Sequence, residues 1–376
     1  MVDVVAEQAA TQAGGAPDGT YEEYRARRTF GSLDGIRALS ILAVVWHHAH
    51  GGLDSVAISL RGFLGVDMFF VLSGYLIVTL LLRENDRSGE INLSKFYARR
   101  TLRIFPLYYA VILATLALVV LKPGSSVAGP FQEELPYLLT YTSNWVHSAS
   151  ILAIAWSLAT EEQFYLLWPP IEKYAKRFLP LLLATALGIN QAINFGLLDG
   201  PLESLLGPGH ATLEILNSTF TPILLGVALS HAMHGANGFA WTRRLAGFAG
   251  APLVAFAALV AACSWPTADI SGLPRLSMQF AMAWLLATVV VREQHILRAV
   301  LRFGPLVRIG VISYGMYLLH MFALHGARVL EGKLLGEQPL ARFALCTAIT
   351  YVLAEISFRL FESPILRFKE RFHTAR

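Results

Sequence analysis

Apolar runs of about the length that a lipid bilayer requires recur along most of this chain. A membrane-spanning helix needs about 20 mostly apolar residues, because the hydrocarbon layer is about 30 Å thick and a helix rises about 1.5 Å per residue. Backbone N–H and C=O groups in hydrocarbon must be bonded within their own segment, so we predict that each run is a helix. The predicted spans are 35–50, 63–82, 104–121, 150–171, 178–196, 212–232, 245–263, 275–291, 306–325 and 339–361.

The low content of charged residues supports this prediction. Only 15% of the 376 residues are charged, against about 25% in soluble domains. The predicted fold class is therefore all-α, a polytopic integral membrane protein with about ten transmembrane helices. Residues 1–30 have no apolar periodicity and are predicted to be a mobile cytoplasmic tail. Residues 31–366 form the predicted membrane domain, and 367–376 a basic cytoplasmic tail.

The basic residues fall mainly on one side of this predicted topology. With the amino terminus placed in the cytoplasm, 23 of the 30 Lys and Arg residues lie in cytoplasmic segments and six in outer loops. This asymmetry predicts that both termini are cytoplasmic. It also explains the net charge of +4 as a consequence of topology, so we expect no nucleic-acid partner.

The two cysteines, Cys263 and Cys346, stand alone in apolar segments. They form no CxxC motif and no second pair that would indicate a disulfide framework or a zinc site. We therefore expect two packed thiols, and no metal.

Ionisable residues inside the predicted spans are the first candidates for function, because a charge there costs at least ~2.5–3.5 kcal/mol. In the first span, Arg37 and His48 are eleven residues apart, which places them on nearly the same helix face with a rise of about 16 Å. Asp67, in the second span, is predicted to lie at about the depth of His48. Each of these residues also has a purely structural explanation. Arg37 could extend its side chain to the membrane surface, His48 could lie at the interface, and the carboxylate of Asp67 could be stabilised by the helix dipole.

Three arginines precede the third span. Arg99 and Arg103 share a helix face at i,i+4, and Arg100 flanks them. Such a cluster can simply fix the orientation of the chain in the membrane. It is equally suited to the phosphates of a nucleotide-like ligand, since guanidinium groups match phosphate oxygens.

The fourth span carries two adjacent carboxylates, Glu161 and Glu162. Helical geometry places Ser157, Glu161, Tyr165 and Trp168 on one face, so Glu161 is predicted to line a cavity. Glu162 points in a different direction on the helix, where it could bond a neighbouring helix.

The ninth span contains an aromatic stripe that ends in a histidine. Tyr317 and His320 are three residues apart, and His320 lies toward the predicted outer side. Such a stripe fits either packing between helices or the wall of a site.

These residue types suit acyl transfer from a thioester to a hydroxyl group. His48 is suited to remove the hydroxyl proton, because the pKa of histidine lies near neutrality. A carboxylate, Glu161 or Asp67, could fix its tautomer. The sequence leaves open whether His47 shares the role. The predicted cations for the phosphates of coenzyme A are Arg37, Arg99, Arg100 and Arg103.

Six segments in order resemble the motifs of membrane acyltransferase family 3. They are 33–48, 65–74, 96–109, 156–169, 313–320 and 361–364. The resemblance implies a ten-helix bundle in a bacterial inner or plasma membrane, with acyl-CoA held by Arg37 and the arginine cluster. It also implies that His48 acts at the catalytic centre, with Glu161 near it.

The expected function is that of an acyl-CoA-dependent O-acyltransferase. It would move an acetyl or short acyl group to a sugar hydroxyl on a polysaccharide, glycolipid or macrolide-type glycoside. The expected partners are the bilayer, acyl-CoA and the glycosylated acceptor, and the chain is compatible with a homo-oligomer. The residues predicted to contact substrate are Ser73, Glu162, Tyr165, Tyr317 and His320.

Two alternatives come from other functional classes. In a proton-coupled transporter, buried carboxylates and histidines would relay protons while a solute crosses. That reading predicts discontinuous spans at corresponding places in two halves of the chain. In a flippase-like envelope assembly protein, the arginines would contact only anionic lipid.

Overall fold

The computed structural model describes residues 19–27, 29–49, 57–207, 220–266, 270–334, 336 and 338–368. Within these ranges all regular secondary structure is helical, which confirms the all-α prediction. The first half contains α1 (Tyr21–Ala26), α2 (Leu33–Ala49), α3 (Gly65–Ser88), α4 (Leu93–Leu121), α5 (Ala128–Leu139), α6 (Ala155–Tyr174), α7 (Leu179–Asn194) and α8 (Asp199–Leu206). The second half contains α9 (Thr221–His234), α10 (Ala236–Ala246), α11 (Ala251–Cys263), α12 (Leu273–Val291), α13 (Arg298–Leu301), α14 (Gly304–Val311), α15 (Ser313–Leu334), α16 (Pro339–Ser357) and α17 (Ser363–Arg367).

Each of the ten predicted apolar runs overlaps one of the longer helices. Part of the sixth run, residues 212–219, lies outside the described residues. By length and composition, four helical stretches within the described residues can cross a membrane, and three helix pairs bent at a short break raise the number to as many as seven. The four stretches are Leu60–Ser88, Leu93–Leu121, Leu273–Val291 and Pro339–Arg367.

The ninth predicted span is not one continuous helix. The chain bends by 80° between α14 and α15, because α14 packs closely against the start of α2. A Cβ atom added at Gly310 would lie 1.9 Å from the carbonyl oxygen of Asp34, so only glycine permits this contact. The run 306–325 is therefore two helices joined at a bend, and its prediction as one membrane span stays a prediction.

Helices α3 and α9 approach each other through two glycines. A Cβ at Gly74 would lie 2.0 Å from the carbonyl oxygen of Ile223, and one at Gly226 would lie 2.2 Å from that of Val71. Small residues of this kind let helix backbones pack closely in membranes. The contact between α3 and α9 also affects the position of Ser73, a predicted substrate contact, because Ser73 immediately precedes Gly74 on α3.

The interior has two apolar clusters that share α3. One joins α3 to α2, α4, α6, α15 and α16, and the other joins it to α10 and α12. Cys346 belongs to the first cluster and Cys263 to the second, and both are free, buried thiols as expected.

Part of the predicted mobile tail, residues 21–26, is folded as α1. Thr20 Oγ1 accepts a hydrogen bond from the backbone N–H of Glu23 and caps the helix. Tyr24 is 2% exposed, and its hydroxyl lies 3.1 Å from that of Tyr75 in the interior. Arg83 donates to the carbonyl oxygen of Tyr24. Tyr21 also docks, since its hydroxyl donates to the carbonyl oxygen of His234 at 2.6 Å. A sequence without apolar periodicity is therefore still held in place by aromatic side chains.

Candidate active site

Five of the described helices, α2, α3, α4, α6 and α15, line a cavity of about 120 Å³, enough for several water molecules. Eight of the twelve predicted site residues line it, together with three further polar residues and five apolar ones. The predicted ones are Arg37, Ser73, Arg100, Arg103, Glu161, Glu162, Tyr165 and Tyr317. The additional polar ones are Ser157, Ser313 and Tyr314.

The arginine cluster of α4 is divided between two tasks. Asn92 caps the helix by accepting a hydrogen bond from the N–H of Lys95, and the helix then places Arg100 and Arg103 on the cavity wall. Arg99 turns away and donates to the carboxylate of Glu84 at 3.2 Å. Glu84 is only 6% exposed, and a buried carboxylate requires a cation nearby. Of the three predicted cations of this cluster, Arg100 and Arg103 therefore line the cavity and Arg99 does not.

Helix α6 presents the face predicted from its sequence. Ser157, Glu161 and Tyr165, each four residues after the last, all line the cavity. Trp168 follows on the same face but donates its indole N–H to Glu172 at 2.7 Å, beyond the cavity.

Glu162 also lines the cavity, although its direction on the helix differs from that of Glu161. Successive helical residues point only about 100° apart, so a wide cavity can receive both carboxylates.

A chain of hydroxyl groups supports Glu161. Ser73 donates to Glu161 Oε1 at 2.6 Å, and Tyr165 donates to Ser73 Oγ at 3.0 Å. The guanidinium of Arg100 lies 4.7 Å from the centroid of the Tyr165 ring. The side chains of α3, α4 and α6 are thus connected, which holds the cations and the carboxylate in fixed relative positions.

The third cation of the cavity is Arg37, which lies in the first of the six motifs, residues 33–48. Arg37 lines the cavity and donates to Asp34, one turn earlier, at 2.6 Å. Its side chain is 27% exposed, so it stands where the cavity meets solvent. Three guanidinium groups and two carboxylates therefore line one cavity, an arrangement suited to an anionic ligand.

Tyr317 connects the cavity to the neighbouring histidines. Its hydroxyl donates to the carbonyl oxygen of Ile154 at 2.8 Å and lies 2.7 Å from Ser157 Oγ. Its ring centroid is 5.7 Å from that of His320, on the next turn of α15. One tyrosine therefore touches both the cavity and the imidazole behind it.

His48 and His320 form a pair outside the cavity lining. His320 Nε2 lies 3.2 Å from His48 Nδ1, and the ring centroids are 4.9 Å apart. His320 is fully buried. Neither Glu161 nor Asp67, the carboxylates predicted to orient His48, is among the contacts described for it.

Asp67 has a different partner. Its Oδ1 accepts a hydrogen bond from Arg275 Nη2 at 2.9 Å, and the Asp67 side chain is 1% exposed. Arg275 also stacks on the ring of Phe63. The described contacts of Asp67 therefore join the start of α3 to the start of α12.

The chain matches an acyltransferase domain of the acyltransferase 3 family over residues 30–357. It belongs to this family. The family assignment based on the six motifs is thus confirmed, and the acyltransferase 3 fold of this chain is that of a multi-pass integral membrane protein.

Several curated bacterial proteins are similar to this acyltransferase 3 chain. It is 29% identical over 380 residues to the peptidoglycan O-acetyltransferase OatA of Listeria monocytogenes, covering 90% of this chain and 56% of that protein. It is 27% identical over 381 residues to O-acetyltransferase OatA of Staphylococcus aureus, covering 92% and 58%. A putative peptidoglycan O-acetyltransferase of Bacillus subtilis, YrhL, is 29% identical, with 92% and 56% covered. The chain thus spans little more than half the length of these relatives. No solved structure matches it.

Sequence reasoning missed one residue and two contacts around the acyltransferase 3 site. Tyr314 lines the cavity, and its position three residues before Tyr317 was the available signal. Ser157 bonds Tyr317, a contact between helices that periodicity cannot show. Arg275 was interpreted as a topology signal in an outer loop, and its pairing with Asp67 becomes visible only in the fold.

Proposed function

We propose that this protein is a membrane-embedded O-acyltransferase that moves an acetyl or other short acyl group from acyl-CoA to a sugar hydroxyl. The observation that carries the proposal is the cavity that brings Arg37, Arg100 and Arg103 together with Glu161 and Glu162 inside an acyltransferase 3 domain.

The arginines support coenzyme A as the carrier of the acyl group. Guanidinium groups bind phosphate oxygens through paired, charge-assisted hydrogen bonds. Arg100 is held by the Tyr165 ring, and Arg37 by Asp34, so both cations are positioned before a ligand arrives. Such preorganisation lowers the entropic cost of binding. Arg99, bonded to Glu84, acts in this proposal as a structural residue.

His48 is the proposed base. The acceptor hydroxyl oxygen attacks the carbonyl carbon of the thioester while His48 takes the hydroxyl proton. The carbon–sulfur bond then breaks, and the proton passes from His48 to the departing sulfur. Glu161, bonded by Ser73, keeps the wall next to the arginines in place. Tyr317 is the proposed link between the cavity and the histidine pair.

The names of the relatives support a cell-wall glycan as the acceptor. Two of the curated relatives are named as peptidoglycan O-acetyltransferases. We propose that this chain also acylates a hydroxyl of a surface glycan.

The proposed topology has ten spans with both termini in the cytoplasm, supported by the distribution of Lys and Arg. Labelling of single introduced cysteines tests it, since both native thiols are buried. A cysteine at Lys122 should react with an impermeant reagent added outside, and one at Arg87 should not. The reverse pattern would overturn the orientation.

The deciding experiment measures release of coenzyme A by purified protein in detergent. Acetyl-CoA or propionyl-CoA is supplied with peptidoglycan fragments and other glycosylated acceptors. We expect release that depends on the acceptor, is abolished in His48→Ala and is retained in His325→Ala, a matched exposed histidine.

Two other outcomes would change the proposal. Bound acyl-CoA without turnover would reject the tested glycans as acceptors. Absence of acyl-CoA binding would reject the enzyme and favour transport. The three bent helix pairs give that alternative a structural basis, because transporters build their sites from broken spans.

A further inference from the structure

The contacts of the His48 and His320 rings indicate which ring nitrogen carries the hydrogen in each. His320 is 0% exposed and lies on α15 between Tyr317 and Leu324, which both belong to an apolar cluster of the interior. Its Nδ1 lies 2.6 Å from the carbonyl oxygen of Tyr317. A carbonyl oxygen only accepts hydrogen bonds, so Nδ1 of His320 carries the hydrogen. In the neutral ring, Nε2 is then an acceptor.

That acceptor faces His48. His48 Nδ1 lies 3.2 Å from His320 Nε2 and 3.0 Å from the carbonyl oxygen of Val44. Both of these neighbours accept, so the contacts described at Nδ1 favour the neutral His48 tautomer with its hydrogen on Nδ1. The basic lone pair is therefore on Nε2, the nitrogen on the far side of the ring.

The two acceptors contribute differently. Val44 precedes His48 by one turn, so its carbonyl oxygen is also the acceptor of the normal helical hydrogen bond from residue 48. His320 comes from α15 and supplies a lone pair aimed at the ring from outside the helix. A second group that accepts the hydrogen of an imidazole fixes both its tautomer and its orientation.

The position of His320 is itself determined by the cavity wall. The Tyr317 hydroxyl, bonded to Ile154, holds the turn of α15 whose carbonyl oxygen receives the His320 hydrogen. The thiol of Cys346 on α16 lies 3.7 Å from the backbone carbonyl oxygen of His320. The ring is thus held by the preceding turn of α15, the backbone of the same residue is contacted by α16, and the side chain is buried.

We propose that His320 is a positioning residue for acyl transfer: it accepts the Nδ1 hydrogen of His48 and leaves the Nε2 lone pair of His48 for the acceptor hydroxyl. The inference rests on the proposed function. It replaces the carboxylate expected to orient the base with a neutral imidazole, and it replaces substrate contact as the predicted role of His320.

The test compares two substitutions in the full-length protein in detergent. His320→Phe keeps an aromatic ring and removes the acceptor. His320→Gln can place its amide oxygen near the position of the lost Nε2. We expect His320→Phe to lower kcat about 10-fold to 100-fold, the usual effect of removing such a supporting partner. The KM for acyl-CoA should stay within about twofold, because the arginines are untouched. His320→Gln should recover most of the loss.

The controls separate failure of this inference from failure of the proposed function. His325→Phe and His325→Gln alter an exposed histidine on the same helix and should behave as the unmodified protein. Wild-type protein without acceptor-dependent release, or His48→Ala with full turnover, would overturn the enzyme itself. With those intact, an unchanged kcat in His320→Phe would overturn the role of His320. Equal losses in Phe and Gln, or losses shared between kcat and KM, would show a purely structural residue.

Discussion

The guanidinium of Arg100 lies over the ring of Tyr165, 4.7 Å from its centroid. A cation in this position gains about 0.5–2 kcal/mol from the ring, and it is also held in one orientation. The same tyrosine donates its hydroxyl hydrogen to Ser73. The ring and the hydroxyl can therefore be tested separately.

We expect Tyr165→Leu to raise the KM for acyl-CoA about threefold to tenfold, because Arg100 loses its platform. Tyr165→Phe keeps the ring and should leave that KM within about twofold. Steady-state kinetics with the acceptor saturating measures both values. Equal effects of the two substitutions would show that the ring does not position the cation.

The role of Arg103 can be tested by comparing how its substitution changes the KM for acyl-CoA and the KM for the acceptor. Arg103→Ala removes a cavity cation, and a charge-assisted hydrogen bond contributes about 1.5–3 kcal/mol. We therefore expect the KM for acyl-CoA to rise about 10-fold to 100-fold, with little change for the acceptor. Arg87→Ala, at an exposed arginine near the same side, is the matched control. Equal increases for donor and acceptor would contradict phosphate binding.

The pair of Asp67 and Arg275 predicts a stability effect. Removing one partner of a buried ion pair leaves an uncompensated charge and costs about 3–5 kcal/mol. Asp67→Asn and Arg275→Gln should each lower the thermal unfolding midpoint in detergent, and the double variant should lower it less than the sum. If Asp67 acts only as a structural partner, the double variant keeps acyl transfer. A stable but inactive double variant would return Asp67 to the catalytic machinery.

The contact between α3 and α9 predicts sensitivity to a single methyl group. Gly74→Ala would bring a Cβ to 2.0 Å from the carbonyl oxygen of Ile223, so the helices must separate. We expect less folded protein on size-exclusion chromatography and a lower unfolding midpoint. Gly129→Ala is the matched control, because nothing lies within 4 Å of the added atom. Equal behaviour of the two variants would show that the close approach is not required.

The helices and one wall of the cavity could be predicted because they depend on local regularities. Apolar length locates a spanning helix, and a spacing of four residues placed Ser157, Glu161 and Tyr165 together.

The features that the sequence could not predict are contacts between distant segments. Arg99 turns toward Glu84, and Asp67 pairs with a residue more than 200 positions later. The break before α15 exists because Gly310 meets Asp34, and periodicity alone cannot locate such a contact. The partner of His48 was predicted to be a carboxylate, since that is the commoner support for a histidine. Only the fold reveals that an imidazole lies beside it.

The docking of α1 has a consequence for handling this protein. Shortening a membrane protein to its first apolar run is a common way to improve its preparation, and here it would remove Tyr24 while leaving the Tyr75 hydroxyl behind in the interior. Arg83 would also lose the two carbonyl oxygens, of Tyr24 and Arg27, to which it donates. A shortened form should therefore begin before residue 19, and an affinity tag joined directly to α2 should reduce the yield.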